Sequence, residues 1–264
     1  MLRSREIQTH SQVSSVMVKQ QFSLFFASQI TQAPQALEAS LAGCLNSTFS
    51  PEHLEILVHI PENDPESTQK QEIVRNLTHE KTRRTPIILI TKLEKEHQTF
   101  NKLYEVAKGT TFINIPLDAQ ILSFGWDRQI THAMKYYEQG IFCFELNSQL
   151  SRARPAVIAL PKLWADAVRY YYVPMFSGPL CLQWLSDMAQ RLGVYQYLPD
   201  LLLRCPQEDG GGQEKRYNES EKEYFRAFRD LRIRDCKLIA MHYFSEEYNS
   251  TLDLPGFWDL KINA

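Results

Sequence analysis

The chain has 264 residues, 44% hydrophobic and 23% charged, with a formal net charge of −2 at pH 7. That composition suits one folded domain, or a domain with an appendage, and gives no electrostatic case for binding nucleic acid or an anionic membrane. Five cysteines (Cys44, Cys143, Cys181, Cys205 and Cys236) are odd in number and have no Cys-x-x-Cys spacing, which argues against a disulfide framework or a zinc site.

Residues 1–20, rich in Ser, Gln and charge, read as a flexible leader without the apolar core of a secretory signal. No apolar run approaches the ~20 residues that span a bilayer, and the expected location is cytoplasmic. Phe22 to Ala27 reads as a buried strand, followed by a polar loop that begins at Ser28. Pro34 sits at a first helical position, and Leu37, Leu41 and Leu45 recur at helical spacing behind it. Leu54 to Ile60 is a second strand, ended by the acidic loop Pro61 to Thr68, and a helix from about Gln69 to His79 follows. Pro86 to Thr91 is a third strand, and a helix around Thr99 to Ala107 leads to a fourth apolar run, Thr111 to Ile115. Alternation of this kind predicts βαβ units with a parallel sheet.

The fourth run breaks at Pro116 into a loop carrying Asp118, and Phe124-Gly-Trp-Asp127 then precedes a helix from about Arg128. A carboxylate at the carboxyl end of such a strand stands where open α/β sheets hold ligands. Further strands are expected at Ile141 to Leu146 and Pro155 to Leu160, and helices at Lys162 to Tyr171 and Leu182 to Leu192, the last closed by Gly193. Tyr195 to Leu203 is a short apolar segment, residues 206–219 a Gly-rich charged loop, and residues 220–264 a charged helix (Ser220 to about Phe244) with an aromatic tail. Neither Gly-x-Gly-x-x-Gly nor a P-loop is present, so the usual dinucleotide and P-loop phosphate sites are not expected, and a nucleotidyltransferase loop is missing as well.

The order of these pieces resembles the GT-A group of nucleotide-sugar glycosyltransferases, nearest its family 2-like branch. The matching residues span roughly 22 to 205: the polar loop at Ser28, the acidic turn Glu62-Asn-Asp-Pro65, and Asn101 ahead of Ala107 and Gly109. They continue with Asp118-Ala-Gln120 at the place of the metal motif Asp-x-Asp, and with Gly125-Trp-Asp127. The resemblance implies a mostly parallel sheet flanked by helices, here with a C-terminal helical extension. It also implies a nucleotide-sugar donor held by Ser28, Asp64, Asn101, Asp118, Trp126 and Asp127, a divalent cation (Mn or Mg) on Asp118, and sugar transfer to an acceptor hydroxyl. A diphosphate leaving group needs its charge neutralised, and an inverting transfer needs a carboxylate base.

Three positions depart from the resemblance. Gln120 replaces the second metal-motif Asp, and Leu182-Gln183-Trp184 stands where an acidic pair would precede a Trp. The late His has no counterpart near Leu203-Arg-Cys205. Asp187, one helical turn beyond Gln183, is the nearest replacement base. The resemblance therefore supports the fold more than the activity, and the alternative is a catalytically degenerate binding or scaffold module. Plainer readings compete residue by residue: Asp64 and Asp118 as turn formers, Trp126 as core, Asp127 as a helix cap, Asp187 as a solvated helix residue. His59, Arg152 and Arg154 are secondary candidates at the same crevice, and Tyr170-Tyr-Tyr172 is a stacking surface or packing.

Overall fold

The structure is a computed structural model that describes residues 22–30, 32–92, 95–117, 119–148, 157–176, 178–204, 219–246 and 248. The leader, Asp118, Arg152, Arg154, Cys205, the Gly-rich loop and the aromatic tail lie outside the described residues.

The first half alternates strand and helix: β1 (Phe22–Ala27), α1 (Pro34–Ser47), β2 (Leu54–Pro61), α2 (Ser67–Thr82), β3 (Ile87–Thr91), α3 (Glu96–Val106) and β4 (Thr111–Asn114). Then come a short β5 (Gln120–Ile121), α4 (Trp126–Met134), β6 (Cys143–Asn147), β7 (Ile158–Pro161), α5 (Lys162–Val168) and α6 (Pro179–Arg191). The long β8 (Tyr195–Arg204), α7 (Glu219–Ala227) and α8 (Arg229–Tyr243) complete the described chain. The strands form one sheet in the order β3-β2-β1-β4-β7-β6-β8-β5. β1 to β4 are mutually parallel, β7 runs antiparallel between β4 and β6, and β8 lies parallel to β6.

Strands buried on both faces read as nearly continuous apolar runs, and Phe22, Leu24, Phe25 and Phe26 are all within 2% of complete burial. Alternate residues serve opposite layers. Phe25, Leu57 and Phe112 face a layer built with α3, α5, α6 and α8. Phe22, Leu24, Phe26 and Ile113 face a layer built with α1, α2 and α4.

The strands and helices of the first half fall where their local patterns put them, while several later elements differ from the sequence reading. The expected helix from Lys162 to Tyr171 ends at Val168, because Arg169 turns left-handed (φ 68°). Asn101 then holds the following backbone away from a helical path: its Oδ1 accepts from Tyr171 N and Tyr172 N, both at 2.8 Å. The short apolar segment after Gly193 is the ten-residue β8. The single helix expected from Ser220 to Phe244 is two helices broken at Phe228. The break lets Phe225 and Phe228 reach Phe176 while Cys236, Ile239 and Ala240 enter the core. Cys44, Cys143, Cys181 and Cys236 are free and buried. Among the described residues no helix is long and apolar enough to cross a membrane.

Candidate functional site

The strand order reverses at β1: β2 and β3 lie on one side of it, β4 on the other. Parallel pairing puts the carboxyl ends of β1, β2, β3 and β4 on one edge, so the loops after them gather there. In open α/β sheets such a reversal point opens a cleft between diverging loops, and ligands bind there.

Three anchors join the rim. Ser28 N donates to His59 O (2.9 Å), tying the loop after β1 to the end of β2. Lys70, from the first turns of α2, donates to Asp64 Oδ2 (2.7 Å) and to Gln29 O (3.1 Å), bonding the loops after β2 and β1 to each other. Asp64 Oδ1 accepts from Glu66 N (2.9 Å), so both its oxygens are engaged within the loop it shapes. The third anchor is Ser40 of α1, whose hydroxyl reaches Pro116 O (3.2 Å) and Ala119 O (2.7 Å), the two carbonyls that bracket position 118. Sequence reasoning passed over Ser40, since a serine inside a helix carries no signal until its long-range partner is known. Ser40→Ala leaves those buried carbonyls short of a donor and is expected to lower unfolding stability by about 1 kcal/mol in urea titration.

The sheet face beneath α3 and α6 turns polar toward this edge. Phe25, Asn114, Ile158 and Glu145 lie in one register row across β1, β4, β7 and β6, with Leu57 of β2 continuing it. Asn114 and Glu145 replace the apolar residues that fill this face deeper in the sheet, and His59 follows Leu57 on the same face with Nε2 2.9 Å from Thr91 Oγ1. Tyr171 Oη donates to Asn114 Oδ1 (3.4 Å), and Tyr195 Oη donates to Glu145 Oε2. Burial raises the carboxyl pKa of Glu145, and the Tyr195 hydrogen bond partly offsets it. A polar residue at the inward parity of an apolar strand is readable in Thr111 to Asn114 and Cys143 to Glu145, and it was the available signal for both.

The structure brings Ser28 and Asp64 together at the rim, and Ser40 holds Pro116 and Ala119 of the loop after β4. It puts the other sequence candidates elsewhere. Trp126 is fully buried at the amino end of β1, its ring centroid 5.4 Å from that of Phe22, and its indole N–H donates to Thr48 Oγ1 (3.0 Å). Asp127 does not cap α4; its carboxylate accepts from Phe49 N and Ser50 N, each at 2.9 Å. This Gly-Trp-Asp segment fastens α4 to the chain between α1 and β2, at the opposite end of the sheet from the crevice. Asn101 acts on the Tyr171–Tyr172 backbone, and through it on Asn114. Asp187 is 7% exposed rather than solvated, and its oxygens accept from Arg191 Nε (2.8 Å) and Arg232 Nε (3.0 Å). Tyr171 and Tyr172 are buried and stacked on each other, with centroids 5.0 Å apart, so they pack rather than present an open face.

Among the described residues no three His, Cys, Asp or Glu side chains converge to hold a metal ion. Gln120 at the second place of the metal motif packs toward α1, where a Cβ at Gly43 would stand 3.4 Å from its own Cβ. The described donors therefore build no preformed cation cage.

No protein-family model matches the sequence, and no curated protein matches it. Solved structures do resemble the fold. Staphylococcus aureus TarS 1–349 in complex with UDP superposes with a TM-score of 0.53 at 11% identity, over 88% of this chain and 69% of that one. The same fragment in complex with UDP-GlcNAc gives a TM-score of 0.52 at 12% identity, over 88% and 70% of the respective chains. The mannosyltransferase PcManGT from Pyrobaculum calidifontis, in complex with GDP-Man and Mn²⁺, gives 0.55 at 10% identity, over 91% and 70%. At such identity the likeness establishes the architecture: a mixed α/β, GT-A-like glycosyltransferase fold with helices on both faces of a mostly parallel sheet.

Proposed function

We propose that this GT-A-like chain binds a nucleotide sugar at the carboxyl ends of β1, β2 and β4 and transfers the sugar to an acceptor hydroxyl. The observation that carries the reading is the reversal of strand order at β1, with the loops of Ser28, Asp64 and Asp118 fastened to one rim by Lys70 and Ser40. Ser28 and the Asp64 loop flank the nucleoside, Asp64 by keeping its loop in shape. Asp118 is assigned to the diphosphate. The solved structures of the same fold hold UDP, UDP-GlcNAc and GDP-Man, which supports this class of donor.

A divalent ion fits this scheme in one way. Mg²⁺-type sites are commonly completed by one or two carboxylates together with substrate phosphates, not by an all-protein cage. With Gln120 directed at α1, Asp118 is the acidic ligand left, and the donor's own diphosphate supplies the remaining oxygens. The ion would then neutralise charge on the departing diphosphate. The expected outcome in calorimetry is that Mn²⁺ alone gives no binding heat, UDP- or GDP-sugar alone binds weakly, and the two together bind at least tenfold more tightly. Asp118→Ala should abolish that gain. Absence of binding by every nucleotide sugar tried, with and without Mn²⁺, overturns the proposal.

A second reading is a module that binds the donor and does not turn it over. It is favoured by the first turn of α6, where Leu180-Cys-Leu-Gln183 carries no acid. Donor bound without hydrolysis or transfer, under conditions where the ion is supplied, decides for it.

A further inference from the structure

Asp187, Glu145 and Glu96 are among the carboxylates in the layer that carries the polar row. Asp187 is bound by two guanidinium groups and belongs to the packing of α6 on α8. Glu145 accepts from Tyr195 inside the sheet. Glu96 differs from both. It is in the first turn of α3, directly after the carboxyl end of β3, and so at the rim. It is partly exposed and makes no ion pair with a described residue. One oxygen meets the start of α6, where a Cβ at Gly178 would stand 3.3 Å from Oε2. Gly178 has φ 59°, a left-handed conformation that a residue with a Cβ adopts only with strain, so the backbone favours glycine here. The hydroxyl of Tyr172 is fully buried and has no hydrogen-bond partner among the described residues.

We infer that Glu96 is the proton acceptor for the acceptor hydroxyl, delivered from α3 to the acid-free first turn of α6. The inference rests on the nucleotide-sugar reading above. In the step, the acceptor oxygen forms a bond to the anomeric carbon and its proton passes to a Glu96 oxygen. The bond from that carbon to the diphosphate breaks, and the nucleoside diphosphate leaves with the electron pair. With water in place of the acceptor, the same step hydrolyses the donor.

Burial raises the Glu96 carboxyl pKa, and the Gly178 N–H opposes it in part. A base with its pKa lifted toward working pH is a better proton acceptor than an ordinary surface carboxylate. The groups around it leave it the charge to carry. Cys181 on α6 and Tyr172 are both pushed up by burial and stay neutral, and His97 has Nδ1 against Phe176 O at 2.5 Å. Lys95, exposed at the start of α3, is the nearby cation of the same segment.

The test compares Glu96→Gln with the parent chain, with Mn²⁺ and a nucleotide sugar that calorimetry shows to bind. Glu96→Gln should keep the donor Kd within about twofold while lowering the rate of donor hydrolysis about 100-fold. The parent rate should fall on the acid side as Glu96 takes up its proton, and the variant should lose that limb. Hydrolysis by Glu96→Gln within threefold of the parent, with the same pH profile, overturns the assignment. So does loss of donor binding in the variant, which would make Glu96 a shaping residue. A parent chain that binds donor without hydrolysing it also overturns the assignment and leaves the binding reading intact. A parent chain that binds no donor removes both.

Discussion

Asp187→Ala will lower the stability of the protein by about 3–5 kcal/mol, the usual cost of removing one partner from a buried ion pair. The reason is the company Asp187 keeps. Arg191, one turn along α6, donates through Nε (2.8 Å) and Nη2 (3.2 Å), and Arg232 reaches across from α8 through Nε (3.0 Å). The side chains of all three are less than a tenth exposed. Arg232 also lies over the rings of Trp184 (5.0 Å) and Phe225 (4.0 Å), and its Nη1 donates to Phe225 O at 2.5 Å. Burial lowers the Arg232 pKa and Asp187 opposes that shift, so the carboxylate is what keeps this guanidinium comfortable in its charged form. Without it, two buried cations face each other. Urea unfolding is the measurement: the transition midpoint should fall sharply, and protection of α8 amides in hydrogen exchange should fall first. A variant that unfolds like the parent while losing turnover would return Asp187 to the role of a base.

Lys70→Met is expected to cost a similar amount, again about 3–5 kcal/mol, and in addition to weaken donor binding. The side chains of Lys70 and Asp64 are both fully buried and 2.7 Å apart. Removing the ammonium strands a carboxylate whose remaining described donor is Glu66 N. It also takes one donor from Gln29 O, which keeps Gln32 N (3.2 Å), and so loosens the loop that begins at Ser28. The double variant Lys70→Met, Asp64→Leu should recover much of the stability, because an apolar pair of similar volume escapes the desolvation cost of two ions. It should not recover donor affinity, since the side-chain bridge between the loops after β1 and β2 would still be missing and Ser28 N to His59 O would be left to tie them. A double-mutant cycle in urea, with calorimetry on the same four proteins, separates the two effects. If the single variant Lys70→Met bound donor as the parent does, the rim would not depend on this bridge.

The first half of this fold is written in local signals. Apolar runs such as Phe22 to Ala27 and Leu54 to Ile60, each followed by a turn residue and a helix-period segment, identify β1 to β4 and the helices between them. Alternation by itself then requires parallel pairing and puts the loops of Ser28, Asp64 and Asp118 on one edge. What the sequence could not decide is which of its polar residues turn inward to other elements. Asn101 meets Tyr172 across 71 positions, Asp127 meets Phe49 across 78, and Arg232 meets Asp187 across 45. No period or motif encodes such pairs, because each exists only where packing brings distant elements within hydrogen-bond reach. For the same reason Trp126 and Asp127 fasten a helix at the far end of the sheet, and Glu96 stands beside Gly178. Parallel pairing and the shared edge follow from residue-by-residue patterning; the strand order and the chemistry of that edge follow from how the packed elements meet and which side chains they leave free.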